Sequence, residues 1–182
     1  NKHEENIVCS SISRDLKKKN EWNKILECAH NPQMKIIISN TTEVGIELVQ
    51  DDIRRYPPVS FPGKLLAFLY ERYKAFAGSR QSGMVIIPTE LIVDNGKKLE
   101  SIVTELAYLN ALEESFIDWL ETSNTFCNSL VDRIVPGKPE KVLKKNIEDE
   151  IGYNDELMLI TEVYRLWAIE GNEETAKLLS FA

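Results

Sequence analysis

Apolar positions along the chain recur with two periods, and the switches between them mark its elements. Ile12, Leu16, Trp22, Ile25, Leu26 and Ala29 become helix-periodic from about Asn20, which is placed to cap the helix, and Asn31-Pro32 stops it. Residues 34–39 are a short, nearly unbroken apolar run rich in isoleucine, which predicts a strand buried on both faces of a parallel sheet. After a polar loop containing Tyr56, Pro57 and Pro58, the positions Leu65, Leu66, Leu69, Tyr73 and Phe76 predict a helix with Pro62 in its first turn and Gly78 at its end. Residues 84–88 predict a second buried strand. Asn95-Gly96 then precedes a helix whose apolar face is Leu99, Ile102, Val103, Leu106 and Leu109.

Helix, strand, helix, strand, helix is the alternation that right-handed crossovers impose on a mainly parallel sheet. The expected class is therefore α/β, a Rossmann-like sheet flanked by helices. The last third changes character. Phe116, Ile117, Trp119 and Leu120 predict a short helix, residues 125–135 an extended segment ending at Pro136-Gly137, and residues 138–146 a charged, exposed stretch. Residues 164–170 predict a final strand able to pair with residues 130–135. The expected division is residues 1–135 as the later part of a Rossmann-like domain and residues 136–182 as remaining strand and helix elements.

Composition narrows the function classes. A chain of 182 residues that is 43% hydrophobic has enough apolar material for a core, yet no apolar run approaches the roughly 20 residues that cross a bilayer. The net charge of −7 argues against a nucleic-acid partner, which requires clustered cations. Lys17, Lys18 and Lys19 form the one basic run and are expected on a solvated helix face beside Asp15 and Glu21. Cys9, Cys28 and Cys127 fit neither a disulfide framework nor a C-x-x-C site, so a reducing cytoplasm is the simplest compartment. His3 and His30 have no partner at metal-ligand spacing, and no metal is expected.

In open parallel sheets ligands gather beyond the carboxyl ends of the strands. The first predicted strand runs into Ser39, Asn40, Thr41, Thr42 and Glu43, and the second ends in Thr89 and Glu90, followed by Asp94-Asn95-Gly96. Turn and cap chemistry suits the same residue types. Asp132 and Arg133 point to opposite faces of an extended chain, so one of them is expected to need a partner, either a salt bridge or a polar ligand. No glycine-rich phosphate loop, Ser-His-Asp set or Cys-His pair is present.

Several of these segments taken in order resemble one family. Ala-His-Asn-Pro-Gln-Met at 29–34, Ser-Asn-Thr-Thr-Glu-Val-Gly-Ile at 39–46, Phe-Pro-Gly-Lys-Leu at 61–65, Ile-Pro-Thr-Glu-Leu-Ile at 87–92 with Asn95-Gly96, and Asn-Thr-Phe-Cys-Asn-Ser-Leu-Val-Asp-Arg-Ile-Val-Pro at 124–136 are similar to successive blocks of tagaturonate reductases (altronate oxidoreductases), a branch of the mannitol dehydrogenase family. The Val-Asp-Arg-Ile-x-Pro core is shared with mannitol dehydrogenases and fructuronate reductases, which stay as alternatives. The resemblance implies metal-independent hydride transfer with NAD between tagaturonate and altronate, a Rossmann-like domain and a mainly helical substrate domain. It also implies a glycine-rich first β-α unit before Asn1 and a catalytic lysine segment after the matched region, so that this chain is expected to be a fragment, inactive alone. A non-catalytic scaffold is the alternative of a different class. Carried over by position, Ser39, Asn40, Thr41, Thr42 and Glu43 would border the nicotinamide half of NAD, and Asn95 would give a catalytic hydrogen bond to the reacting oxygen. Glu90 and Asp132 would line the substrate side. Thr89 stands where many relatives have Cys, and Asn124 where the wider signature is often apolar. All of this requires the two strand ends and the Asp132 segment to meet at one cleft.

Overall fold

The computed structural model describes residues 7, 11–17 and 20–180. His3, Cys9, Lys18 and Lys19 lie outside them, whereas Lys17 is exposed and sits in no helix. A first helix, α1 (Trp22–Cys28), leads to β1 (Ile36–Ser39), and α2 (Phe61–Ala75) to β2 (Val85–Pro88). Two helices, α3 (Asn95–Leu109) and α4 (Glu114–Ser123), precede β3 (Thr125–Phe126). These strands form a parallel three-stranded sheet in the order β1-β2-β3, the arrangement that the alternation of elements predicts.

The pleat of the sheet divides the core in two. Met84 and Ile86, with Ile37 and Phe126 beside them, face Leu66, Leu69, Leu99, Val103, Leu106, Phe116 and Leu120 from the helices. Val85, Ile87 and Cys127 face the other way with Ile36, and meet Trp167, Ile169, Leu178 and Leu179. Residues near the chain's end thus cover the second face. The sheet's central strand, β2, is buried throughout, as its sequence predicts. β1 departs from expectation: it is an edge strand, and Ile38 is 50% exposed. A run of isoleucines specifies a strand but not its rank in the sheet.

Local sequence explains the element ends. Ser60 caps α2 by accepting the Gly63 N–H at 3.0 Å, with Pro62 in the first turn as expected. Beyond α2, Ala77 and Gly78 take positive φ of 49° and 70°, and the Gly78 N–H closes on Tyr73 O. For α1 the cap position is held by Glu21 rather than Asn20; the Glu21 carboxylate reaches back to Lys17 N and across to Lys24.

The expected extended stretch of residues 125–135 is broken after Cys127. Its first part joins the parallel sheet as β3, and its second, β4 (Ser129–Asp132), pairs antiparallel with β5 (Leu166–Ile169). The predicted partnership of these two segments therefore forms, in a separate ribbon. Between them the charged stretch becomes a helix, α5 (Lys141–Ile151), which buries no residue. A last helix, α6 (Glu173–Leu178), is capped by Asn172 accepting from Thr175 N.

Candidate functional site

In-register pairing of Ser39 with Pro88 makes β1 and β2 end side by side, so the segments that follow them emerge together. Between them lies an open cleft of about 530 Å³ lined by Asn40, Thr41, Thr42, Val44, Thr89, Glu90, Leu91 and, from β4, Val131. A hollow of similar size beside Arg14, Lys24 and Cys28 is remote from the strand ends. The cleft occupies the position where parallel sheets take ligands, and all three expected segments reach it.

The two strand ends are fastened to each other. Thr89 donates to Ser39 O through its N–H at 2.9 Å and its hydroxyl at 2.7 Å. Glu90, only 4% exposed, accepts in return from the Ser39 hydroxyl at 3.0 Å, the Thr41 N–H at 2.8 Å and the Thr41 hydroxyl at 2.7 Å. Ser39 is buried and turned to this carboxylate, whereas Asn40, Thr41 and Thr42 are exposed at the cleft. Glu43 begins a short 3-10 turn, Glu43–Gly45.

Asn95 lies beneath the cleft, 1% exposed. Its amide nitrogen shares two hydrogens among Pro88 O, Glu90 O and Ser129 O, all at 2.9 to 3.0 Å, and its oxygen accepts the Ser129 N–H at 2.9 Å. One side chain thus joins the end of β2 to the start of β4. Its hydrogen-bonding atoms are all engaged within the protein, so in this geometry it orders the cleft floor.

Asp132 projects from β4 on the face opposite Val131 and is exposed, with neither ion pair nor hydrogen bond recorded among the described residues. Neighbouring Arg133 is held separately, its guanidinium donating to Glu162 O at 3.0 and 3.1 Å.

Two contributors were not singled out from sequence. Asn128 accepts the Gly96 and Lys97 N–H groups at the start of α3 and donates to Glu170 at 2.7 Å and Asp94 at 3.3 Å. Val131 supplies the apolar wall beside the strand ends. Strand alternation next to Asp132 carries a signal for Val131; nothing local marks Asn128 as a cap for a helix so far away in sequence.

Burial pushes the Cys127 thiol up, opposed in part by the Thr175 hydroxyl, so Cys127 is an inert core thiol. Among the described residues no group of three or more His, Cys, Asp or Glu could hold a metal ion, and no helix is long and apolar enough to cross a membrane.

A family model described as the mannitol dehydrogenase Rossmann domain matches residues 2–181. The chain belongs to the mannitol dehydrogenase family. It is 46% identical to the altronate oxidoreductase of Bacillus subtilis over 179 residues, which is 98% of this chain and 37% of that protein. It is 42% identical to the altronate oxidoreductase of Halalkalibacterium halodurans over 96% of this chain and 34% of the relative. The chain therefore spans about a third of the length of the curated relatives it matches. Among solved structures, Pseudomonas fluorescens mannitol 2-dehydrogenase, in a ternary complex with NAD and D-mannitol, superposes with a TM-score of 0.72 at 20% identity, covering 89% of this chain and 34% of that one. A substrate-free D-sorbitol dehydrogenase gives 0.65 at 21% identity over 82% of this chain and 32% of that one. These two likenesses establish the mannitol dehydrogenase Rossmann fold for residues whose own pattern predicts it.

Proposed function

We propose that this chain is the part of an NAD-dependent altronate oxidoreductase (tagaturonate reductase) in which the nicotinamide meets the sugar acid, and that the meeting place is the cleft at the ends of β1 and β2. The observation that carries the reading is the convergence of Asn40, Thr41 and Thr42, Thr89 to Leu91, and Val131 on one cleft, in a chain 46% identical to an altronate oxidoreductase.

The donor set suits the cofactor. Exposed Asn40, Thr41 and Thr42 offer an amide and two hydroxyls for a carboxamide, and Val44, Leu91 and Val131 offer apolar contact for a flat ring. When bound, NAD supplies the hydride acceptor or donor; the protein's part is to place and to polarise. Thr41 and Thr42 would hold the carboxamide, and Val131 would give the ring an apolar contact from β4. Asn95 keeps the floor in register by linking Pro88, Glu90 and Ser129. Asp132 stands on the face of β4 opposite the cleft-lining Val131 and is not part of the cleft wall, so any contact it makes with the hydroxyls of a sugar acid would come from outside that wall. Among the described residues no lysine or histidine lines the cleft, and in this reading proton transfer to the substrate oxygen is assigned to a group outside its walls.

The test uses the full-length protein with NADH and a panel of tagaturonate, fructuronate and fructose. Oxidation of NADH with tagaturonate, at a kcat/KM well above the other two, is the expected result. Turnover of fructuronate or fructose in preference would move the assignment to those branches of the family, and no turnover with any of the three would favour a non-catalytic scaffold.

A further inference from the structure

We propose that Glu90 is a positioning residue whose carboxylate clamps the segment after β1 to the end of β2, and so decides where the Asn40 to Thr42 groups stand in the cleft. This deepens the functional reading, but the clamp itself rests on geometry alone. Oε1 accepts both the N–H and the hydroxyl of Thr41, which fills its two lone pairs, and Oε2 accepts the Ser39 hydroxyl. With the residue 4% exposed, little of the carboxylate is open to a ligand atom, although Glu90 forms part of the wall. No cation is paired with it among the described residues. A buried carboxylate in that situation depends on its hydrogen-bond donors, and these come from Ser39, the last residue of β1, and from Thr41 in the segment that leaves it.

The opposite end of the residue is fixed as well. The Glu90 carbonyl accepts from Asn95, and the preceding Thr89 binds Ser39 O twice. The carboxylate therefore acts from an anchored backbone on a loop that has few other ties. Removing it frees Thr41 while leaving β2 in place, and the exposed hydroxyls of Thr41 and Thr42 lose their fixed position relative to Val131.

Backbone hydrogen exchange tests this in the full-length protein, since the Thr41 amide is itself one of the clamped donors. In Glu90→Ala the Thr41 amide should exchange about tenfold faster or more, while the β2 amides of Ile86 and Ile87 keep their protection and so report an intact sheet. In Glu90→Gln the amide oxygen still accepts from Thr41, and most protection should remain. The kinetic signature is a KM for the dinucleotide raised about tenfold in Glu90→Ala with the KM for the sugar acid little changed, and a smaller rise in Glu90→Gln.

Unchanged Thr41 exchange in Glu90→Ala overturns the clamp. So does a sugar-acid KM raised equally by both variants while Thr41 stays protected, because that pattern belongs to a charge in direct contact with substrate. Faster Thr41 exchange in a protein that turns over none of the three sugars would uphold the clamp and remove the proposed reaction, so the two failures are distinguishable.

Discussion

The side-chain oxygen of Asn128 lies 3.0 Å from the backbone nitrogen of Gly96 and caps the start of α3 from the junction of β3 and β4. The approach is so close that a Cβ at position 96 would stand 2.5 Å from the carbonyl carbon and oxygen of Cys127 and 2.7 Å from Asn128 N. Backbone on both sides leaves no flexible atom to yield. Gly96→Ala should therefore cost about 3 kcal/mol, read from the urea midpoint, by forcing α3 off the β3–β4 junction. A variant within error of wild type would mean that the helix can shift without loss.

Asn128 itself has a second task, because its amide nitrogen donates to Glu170 at 2.7 Å while its oxygen caps α3. Asn128→Ala loses both and should cost about 1 to 2 kcal/mol. Asn128→Asp keeps the capping oxygen and adds a charge that suits a helix N-terminus, but sets it against Glu170 and Asp94. A double-mutant cycle with Glu170→Gln should recover part of the loss in Asn128→Asp and none in Asn128→Ala. Equal recovery in both would show that the charges at 128 and 170 do not interact.

Hydrophobic period carried most of the fold. The four helices through α4 and strands β1 and β2 stand where Trp22, Leu65, Leu99, Phe116 and the two isoleucine-rich runs place them. What the pattern left out has physical causes. Edge or centre is a property of neighbours, so Ile38 could not announce its exposure. The break at Cys127 and Asn128 lies inside one apolar, extended stretch, where only the partner strands reveal that it serves two sheets. In α5 the apolar positions Val142, Leu143, Ile147 and Ile151 do recur at helical spacing, but they sit among seven polar and charged residues and none of them is buried, so composition read the stretch as exposed before period could read it as a helix. For the site, strand-end position pointed to a place where the structure has a cleft. Which atoms face it depends on pairings such as Glu90 with Ser39 and Thr41, about fifty residues apart, that no local pattern encodes.

Asp51 gives a pH dependence with a defined sign. Burial raises its pKa, but the Ser60 N–H and hydroxyl, the Val59 N–H and the charge of Lys64 outweigh burial and leave it below the usual aspartate value. A depressed folded-state pKa means stability that is complete above the unfolded value of about 4 and is lost as pH falls through the folded value. Asp51→Asn should lower stability at pH 7 by about 1 to 2 kcal/mol and flatten the acid limb. Urea midpoints for both proteins between pH 6 and pH 2.5, approximately, should converge toward the acid end. Parallel curves would remove Asp51 from the acid response.

Asp132 separates function from stability. An exposed carboxylate with no ion pair among the described residues contributes little to the fold, so Asp132→Ala should change stability by no more than about 0.5 kcal/mol. If it meets the sugar acid, kcat/KM should fall by about tenfold or more, the scale of losing a charged hydrogen bond. Thermal melts and initial rates on the same preparation decide the matter. Unchanged kinetics would take Asp132 out of the site and leave Val131 as the only β4 residue in it.

Arg72 is a fully buried cation of the helical layer, 0% exposed, and among the described residues it has no carboxylate partner. Its guanidinium donates to Ala29 O and Asn31 O, just beyond the end of α1, each at 3.0 Å, and to Ser82 O, and it lies 4.9 Å from the centre of the Phe76 ring. Burial lowers its pKa, yet an arginine stays charged at any pH the protein meets, so the carbonyls and the negative end of α1 carry the compensation. Arg72→Met fills similar volume but leaves three carbonyls without this donor and should cost about 3 kcal/mol. Arg72→Lys keeps the charge but not the fork, which reaches α1 and Ser82 at once, and should recover only part of that loss. Urea unfolding distinguishes the roles. If methionine is as stable as arginine, desolvating the cation cancels everything its hydrogen bonds contribute, and the attachment of α1 must then rest on Trp22 and the apolar contacts around Ala29 instead.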